Sequence, residues 1–136
     1  MESTIAKDAE TQRIISVQQT LKFTFGLVPI VAGLDKFTNL LTHWVKYLNP
    51  RLAGMLPVSG ETFMHVVGVI EIAAGVLVLF KPRAGAAVVS AWLVLIALQL
   101  LAGGMDLDVA VRDLVMAISA AALFRLSDAA IVSRSR

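Results

Sequence analysis

Cysteine is missing from all 136 residues. That excludes disulfides, thiolate metal sites, iron–sulfur clusters and thiol redox chemistry in this chain. Charge is scarce: Asp, Glu, Lys and Arg make up 16% of the chain, against about 25% in an ordinary soluble domain. So few polar residues cannot cover the core of a soluble domain of this length. The formal net charge of +2 is too small to point to nucleic acid. Only two histidines are present. His65 with Glu61 one turn earlier is too sparse for a metal site, which takes three or four ligands. His43 and His65 do not form the facing axial pair that haem needs between helices. Phosphate-loop, nucleophile-elbow and catalytic-triad patterns are also missing, so no catalytic or metal-binding residue is expected, and no cofactor is implied by motif. The polar N-terminus carries Glu2, Asp8 and Glu10, and no cleavable leader is read from it.

What the chain has instead is hydrophobicity, 57% of it, gathered into long blocks as in membrane helices. The clearest runs from Ala84 to Met105 without a charge, behind Pro82 and closed by Gly103 and Gly104. At 1.5 Å per residue it spans about 33 Å, enough to cross an apolar layer of about 30 Å. A second block, 63–80, is interrupted by His65 and Glu71, with Ser59 and Thr62 as candidate N-caps. The segment Lys81-Pro82-Arg83 predicts a tight turn between these two blocks. A fourth block, 109–126, follows Asp106 and Asp108, which complement the positive end of a helix dipole. The first block is placed at about 22–41, with Lys22 snorkelling to the inner interface and Pro29 kinking the helix.

The expected fold is therefore all-α, an integral membrane four-helix bundle. Its spans are about 22–41, 63–80, 84–103 and 109–126, within a single domain over 13–128. A polar N-terminal tail covers 1–12 and a basic C-terminal tail 129–136. Between the first two spans, Phe37, Leu40, Leu41, Trp44, Val45 and Leu48 recur at helical spacing, opposite Asn39, Thr42, His43 and Lys46. This reads as an amphipathic interfacial segment over 37–48, ended by Pro50 and followed by a loop. A continuation of the first span, or a surface for a partner subunit, has the same pattern. Lys7, Arg13, Lys81, Arg83, Arg125, Arg134 and Arg136 fall on one side and only Lys46 and Arg51 firmly on the other. The positive-inside rule then places both termini in the cytoplasm of a bacterial-type inner membrane.

Ionisable residues inside apolar spans are costly, on the order of 3 kcal/mol each at mid-bilayer, and need a reason. Here they are Asp35 and Lys36, His65 and Glu71, and Arg112 and Asp113. Counted inward from the outer ends of the spans, Arg112 and Asp113 lie about 5–6 Å deep, Asp35 and Lys36 about 8–9 Å and Glu71 about 12 Å, with His65 near the rim. They form one candidate intramembrane polar site. Gly68, Glu71 and Gly75 share a helix face, and the small residues let a neighbour approach closely. Such a site can hold the polar head of a quinone or lipid, or relay a proton; equally, it can be a structural ion-pair network that fixes helix register.

Gly26-Leu27-Val28-Pro29-Ile30-Val31-Ala32-Gly33-Leu34-Asp35-Lys36-Phe37 resembles the first-helix signature of the DoxX-like membrane proteins. The Gly68-Val69-Ile70-Glu71 segment followed by Gly75 resembles their second helix, and Arg112-Asp113 the start of their last. The resemblance covers about residues 20–126 and marks Gly33, Lys36, Glu71, Arg112 and Asp113 as motif positions. It implies a four-helix membrane fold and a link to membrane redox systems. The expectation is an accessory or anchoring subunit of a redox complex, with quinone or lipid as ligand and the bilayer, other membrane subunits or a second copy as partners. The alternatives are a non-catalytic scaffold and a small transporter or proton conduit.

Overall fold

A computed structural model describes the backbone of residues 2–135 and the side chains through residue 129. The chain is all-helical, with no strand among the described residues. Helix α1 covers Glu2–Thr38, a 3-10 turn Trp44–Tyr47, α2 Pro50–Met55, α3 Gly60–Phe80, α4 Pro82–Gly103 and α5 Leu107–Ser135. Helices α1, α3 and α4 are long and apolar enough to cross a membrane. The fourth expected span lies within α5, where Arg112, Asp113 and Arg125 interrupt the apolar run.

Local signals set most boundaries. The Ser59 hydroxyl accepts from the Thr62 N–H at 3.2 Å and caps α3. Pro82 occupies the first turn of α4, where its missing N–H costs nothing, and Lys81 alone separates α3 from α4. Gly104 ends α4 in the left-handed region at φ 63°. Its N–H bonds to the Leu101 carbonyl and that of Met105 to the Leu100 carbonyl, the Schellman pairing.

Four boundaries differ from the sequence expectation. Residues 2–12 are not a separate tail but the exposed start of α1, because no glycine or proline precedes Gly26 to break it. At the other end, α5 carries the helix through Ser135, and the side chains of Arg134 and Arg136 lie outside the described residues. Helix α1 stops at Thr38 rather than 41, and no continuous helix covers 37–48. Asn39 turns left-handed at φ 51°, and the Asp35 carboxylate captures the Leu40 and Leu41 N–H groups. Trp44 and Leu48 face inward as the pattern asked, whereas Leu40 and Leu41 face out. Finally, Pro50 starts a helix instead of ending one. Asn49 caps α2 by accepting from the Arg51 N–H at 3.0 Å.

Helix α1 packs against α3 and α5, and α4 against α3 and α5. The α1–α3 contact runs along a glycine seam. Gly33 opposes Gly68 and Gly26 opposes Gly75; each helix spaces its two glycines seven residues apart, close to two full turns. The buried core between the helices is small-residue rich, with Ala74, Val78, Ala86, Val89, Ala120 and Leu123 in one cluster. Outside, Leu27, Val31, Leu34, Val69, Leu98, Val115 and Ile118 are exposed. The 3-10 turn and α2 cover one end of the helices. Gln99 ties them to α4 by donating to the Tyr47 carbonyl at 2.9 Å and accepting from the Asn49 N–H at 3.0 Å.

Candidate functional site

A cavity of about 780 Å³ lies between α1, α3, α4 and α5 beneath the 3-10 turn. Most of its wall is apolar, from Phe25, Met64, Val67, Leu93 and Met116 among others. Val28 and Leu95, both more than half exposed, also line it, so it reaches the apolar flank of the helices. Lys36, Glu71, Arg112 and Asp113 contribute polar groups to the same wall.

Lys36 sits near the end of α1 and Glu71 in the middle of α3, brought together by the Gly33–Gly68 approach one turn away. Their ion pair measures 2.6 Å, with side chains only 4% and 10% exposed. The Trp44 ring covers the ammonium from the other side, 3.6 Å from centroid to Nζ. Trp92 of α4 donates to the second Glu71 oxygen at 3.4 Å, a long bond. The ammonium has three donors, and among the described residues Glu71 supplies its one oxygen partner.

Asp113 is different. It is 7% exposed and lines the cavity. Among the described residues nothing donates a hydrogen bond to its carboxyl, although Arg112, Glu71 and Lys36 lie within electrostatic range. Arg112, exposed at the cavity wall, takes part in neither of the two ion pairs found among the described residues. Pro29 has no N–H to offer the Phe25 carbonyl, and both residues line the cavity.

The other two expected site residues are elsewhere. Asp35 turns away from the cavity and organises the chain after α1. Its carboxylate accepts the Trp44 indole N–H at 2.8 Å as well as the Leu40 and Leu41 N–H groups. His65 is exposed and stacks on Phe37 with ring centroids 4.8 Å apart, outside the cavity wall. Among the described residues no three His, Asp or Glu side chains are grouped to hold a metal.

Trp44, expected in an interfacial segment, and Trp92, assigned no polar role from the sequence, prove to be part of the polar site. An indole N–H inside an apolar segment needs an acceptor, and that requirement was the available signal. Replacing Trp44 by Phe keeps a ring over Lys36 but removes the donor to Asp35. Trp44→Phe is expected to lower the thermal unfolding midpoint by a few degrees. Asp35→Ala, which frees the indole and two backbone N–H groups at once, should lower it further. The reverse order would show that the carboxylate is not what holds the turn.

No family model, curated protein or solved structure matches this chain.

Proposed function

We propose that this protein is a membrane-embedded accessory subunit of a redox complex, DoxX-like, whose four long helices span a bacterial-type inner membrane with both termini inside. Its cavity holds the polar head of a lipid-like molecule, a quinone being the ligand class that fits best. The observation that carries this reading is the Asp113 carboxyl, which opens into an apolar cavity with no hydrogen-bond donor among the described residues, beside Arg112, which joins no ion pair among them. A carboxyl and a guanidinium that face an apolar cavity are matched by a ligand head that both donates and accepts hydrogen bonds. The exposed valines, leucines and isoleucines around the helices support the membrane setting. The sequence offers no cysteine and no cofactor motif, so under this reading electrons come from a partner subunit.

The test is purification from native membranes in mild detergent, with mass spectrometry of co-purifying proteins and lipids and an absorbance scan. Stoichiometric redox subunits and bound quinone are expected. A colourless protein without partner or quinone would overturn the proposal. At the site itself, Asp113→Asn is expected to weaken binding of a decyl-substituted benzoquinol about tenfold or more, the weight of a hydrogen bond to a charged group. The thermal midpoint without ligand should change little. Equal affinity of variant and parent would remove Asp113 from the site.

The closed Lys36–Glu71–Trp92 arrangement favours a second reading, a scaffold whose polar groups only set helix register. Under it, Glu71→Gln leaves activity of the assembled complex intact provided that the helices still pack. Under the quinone reading the same substitution impairs it.

A further inference from the structure

A second cavity lies at the opposite end of the helices, the end that carries the chain termini. It measures about 530 Å³ and is walled by α1, the α3–α4 turn and α5. Lys22, Lys81 and Arg83 line it, and among the described residues no carboxylate does. Arg83 donates through Nε to Asp128 at 3.1 Å, just outside the wall, leaving its terminal nitrogens free of that bond. The floor is polar and ordered: buried Gln18 donates to the Ser127 hydroxyl at 3.3 Å. Helix α4 begins in this wall without a side-chain cap. Its first regular bond runs from the Gly85 N–H to the Lys81 carbonyl at 2.8 Å, so the Arg83 and Ala84 N–H groups precede it. Those donors and the helix dipole add to the field of the three cations.

We infer that this cleft binds the phosphate of an anionic phospholipid headgroup. Basic pockets between membrane helices take such headgroups. The walls argue for a lipid over free phosphate, because Leu79, Pro82 and Phe80 also line the cleft, and Phe80 is 81% exposed beside it. That apolar rim suits a glycerol and the start of an acyl chain and offers nothing to an inorganic ion. The inference does not depend on what the other cavity binds.

The experiment uses the full chain in nanodiscs of phosphatidylglycerol and phosphatidylcholine in equal parts, with native mass spectrometry counting the lipid that stays bound. Phosphatidylglycerol is expected to be retained in preference to phosphatidylcholine. Lys22→Gln and Lys81→Gln should each weaken its retention about fivefold, the weight of one basic residue at an anionic surface. Lys22→Arg and Lys81→Arg keep the charge and should retain the lipid, which separates loss of binding from loss of fold. Lys46→Gln makes the same charge change at the far end and should have no effect. Equal retention of the two lipids, or an equal loss with Lys46→Gln, would overturn the site. Displacement by inorganic phosphate at the concentration of the lipid would overturn the lipid headgroup as its occupant.

Discussion

Lys36→Met is expected to lower the unfolding free energy by about 3–5 kcal/mol, and Lys36→Met with Glu71→Met to recover most or all of it. The single substitution keeps side-chain volume but strands a carboxylate that is only 10% exposed. With no ammonium 2.6 Å away, the remaining partner is the Trp92 indole at 3.4 Å, too long to offset the loss. The double substitution removes both charges and their desolvation costs together, and Met against the Trp44 ring forms a favourable sulfur–aromatic contact. Replacing a buried pair by apolar side chains of similar size is commonly neutral or stabilising. Thermal unfolding of the four proteins of the cycle in one detergent measures the coupling. If the double variant were as unstable as Lys36→Met, the cost would lie in Lys36 packing rather than in the pair. The same cycle bears on the proposed function, since a pair whose removal leaves the fold intact lets the proposed quinone binding be tested by itself.

The sequence disclosed best what adjacent residues decide among themselves. Gly103-Gly104, Ser59 and Pro82 act within one turn of chain, and each sets a helix end where its chemistry asks. The segment 37–48 defeated the same kind of reading. Its apolar spacing is truly helical, but the outcome depended on Asp35, whose carboxylate competes for the N–H groups that a continuing helix would use. Acidic side chains near a helix C-terminus are unfavourable for the dipole, so Asp35 was read as a buried charge rather than as the group that folds the chain back. Four of the six candidate polar residues, Lys36, Glu71, Arg112 and Asp113, meet at one cavity, because charge inside an apolar run is conspicuous and the Gly68–Glu71–Gly75 face says which way it points. His65 was grouped with them on depth alone. Depth does not fix azimuth, and three residues before Gly68 it looks outward onto Phe37. Trp44 and Trp92 were overlooked as polar groups because nothing local says where an indole N–H finds its acceptor.

The second large effect belongs to the glycine seam. Gly33→Val is expected to destabilise the protein by about 3 kcal/mol or more, and Gly68→Ala by about 1–3 kcal/mol, the range for overpacking. A Cβ on Gly33 would meet the Gly68 carbonyl oxygen at 2.5 Å, and one on Gly68 would meet the Gly33 carbonyl oxygen at 2.7 Å. Both obstacles are backbone, so no side chain can turn aside; the helices must separate. A Cβ on Gly75 likewise runs into the Gly26 carbonyl oxygen. The two positions differ in what they carry. The Lys36 Cβ lies 3.2 Å from the Gly68 substituent, so Gly68→Ala displaces Lys36 relative to Glu71 and should weaken ligand binding as well as stability. Gly75→Ala, two turns away, should reduce stability with a smaller effect on binding. Gly54→Ala is the control, since nothing lies within 4 Å of its added Cβ and alanine suits the α2 interior better than glycine by about 0.5–1 kcal/mol. Thermal unfolding and benzoquinol titration of all four variants check the scheme. Gly68→Ala behaving like Gly54→Ala would mean that α1 and α3 are not in backbone contact, and the seam would then no longer explain how a lysine and a glutamate from two helices come to share one buried bond.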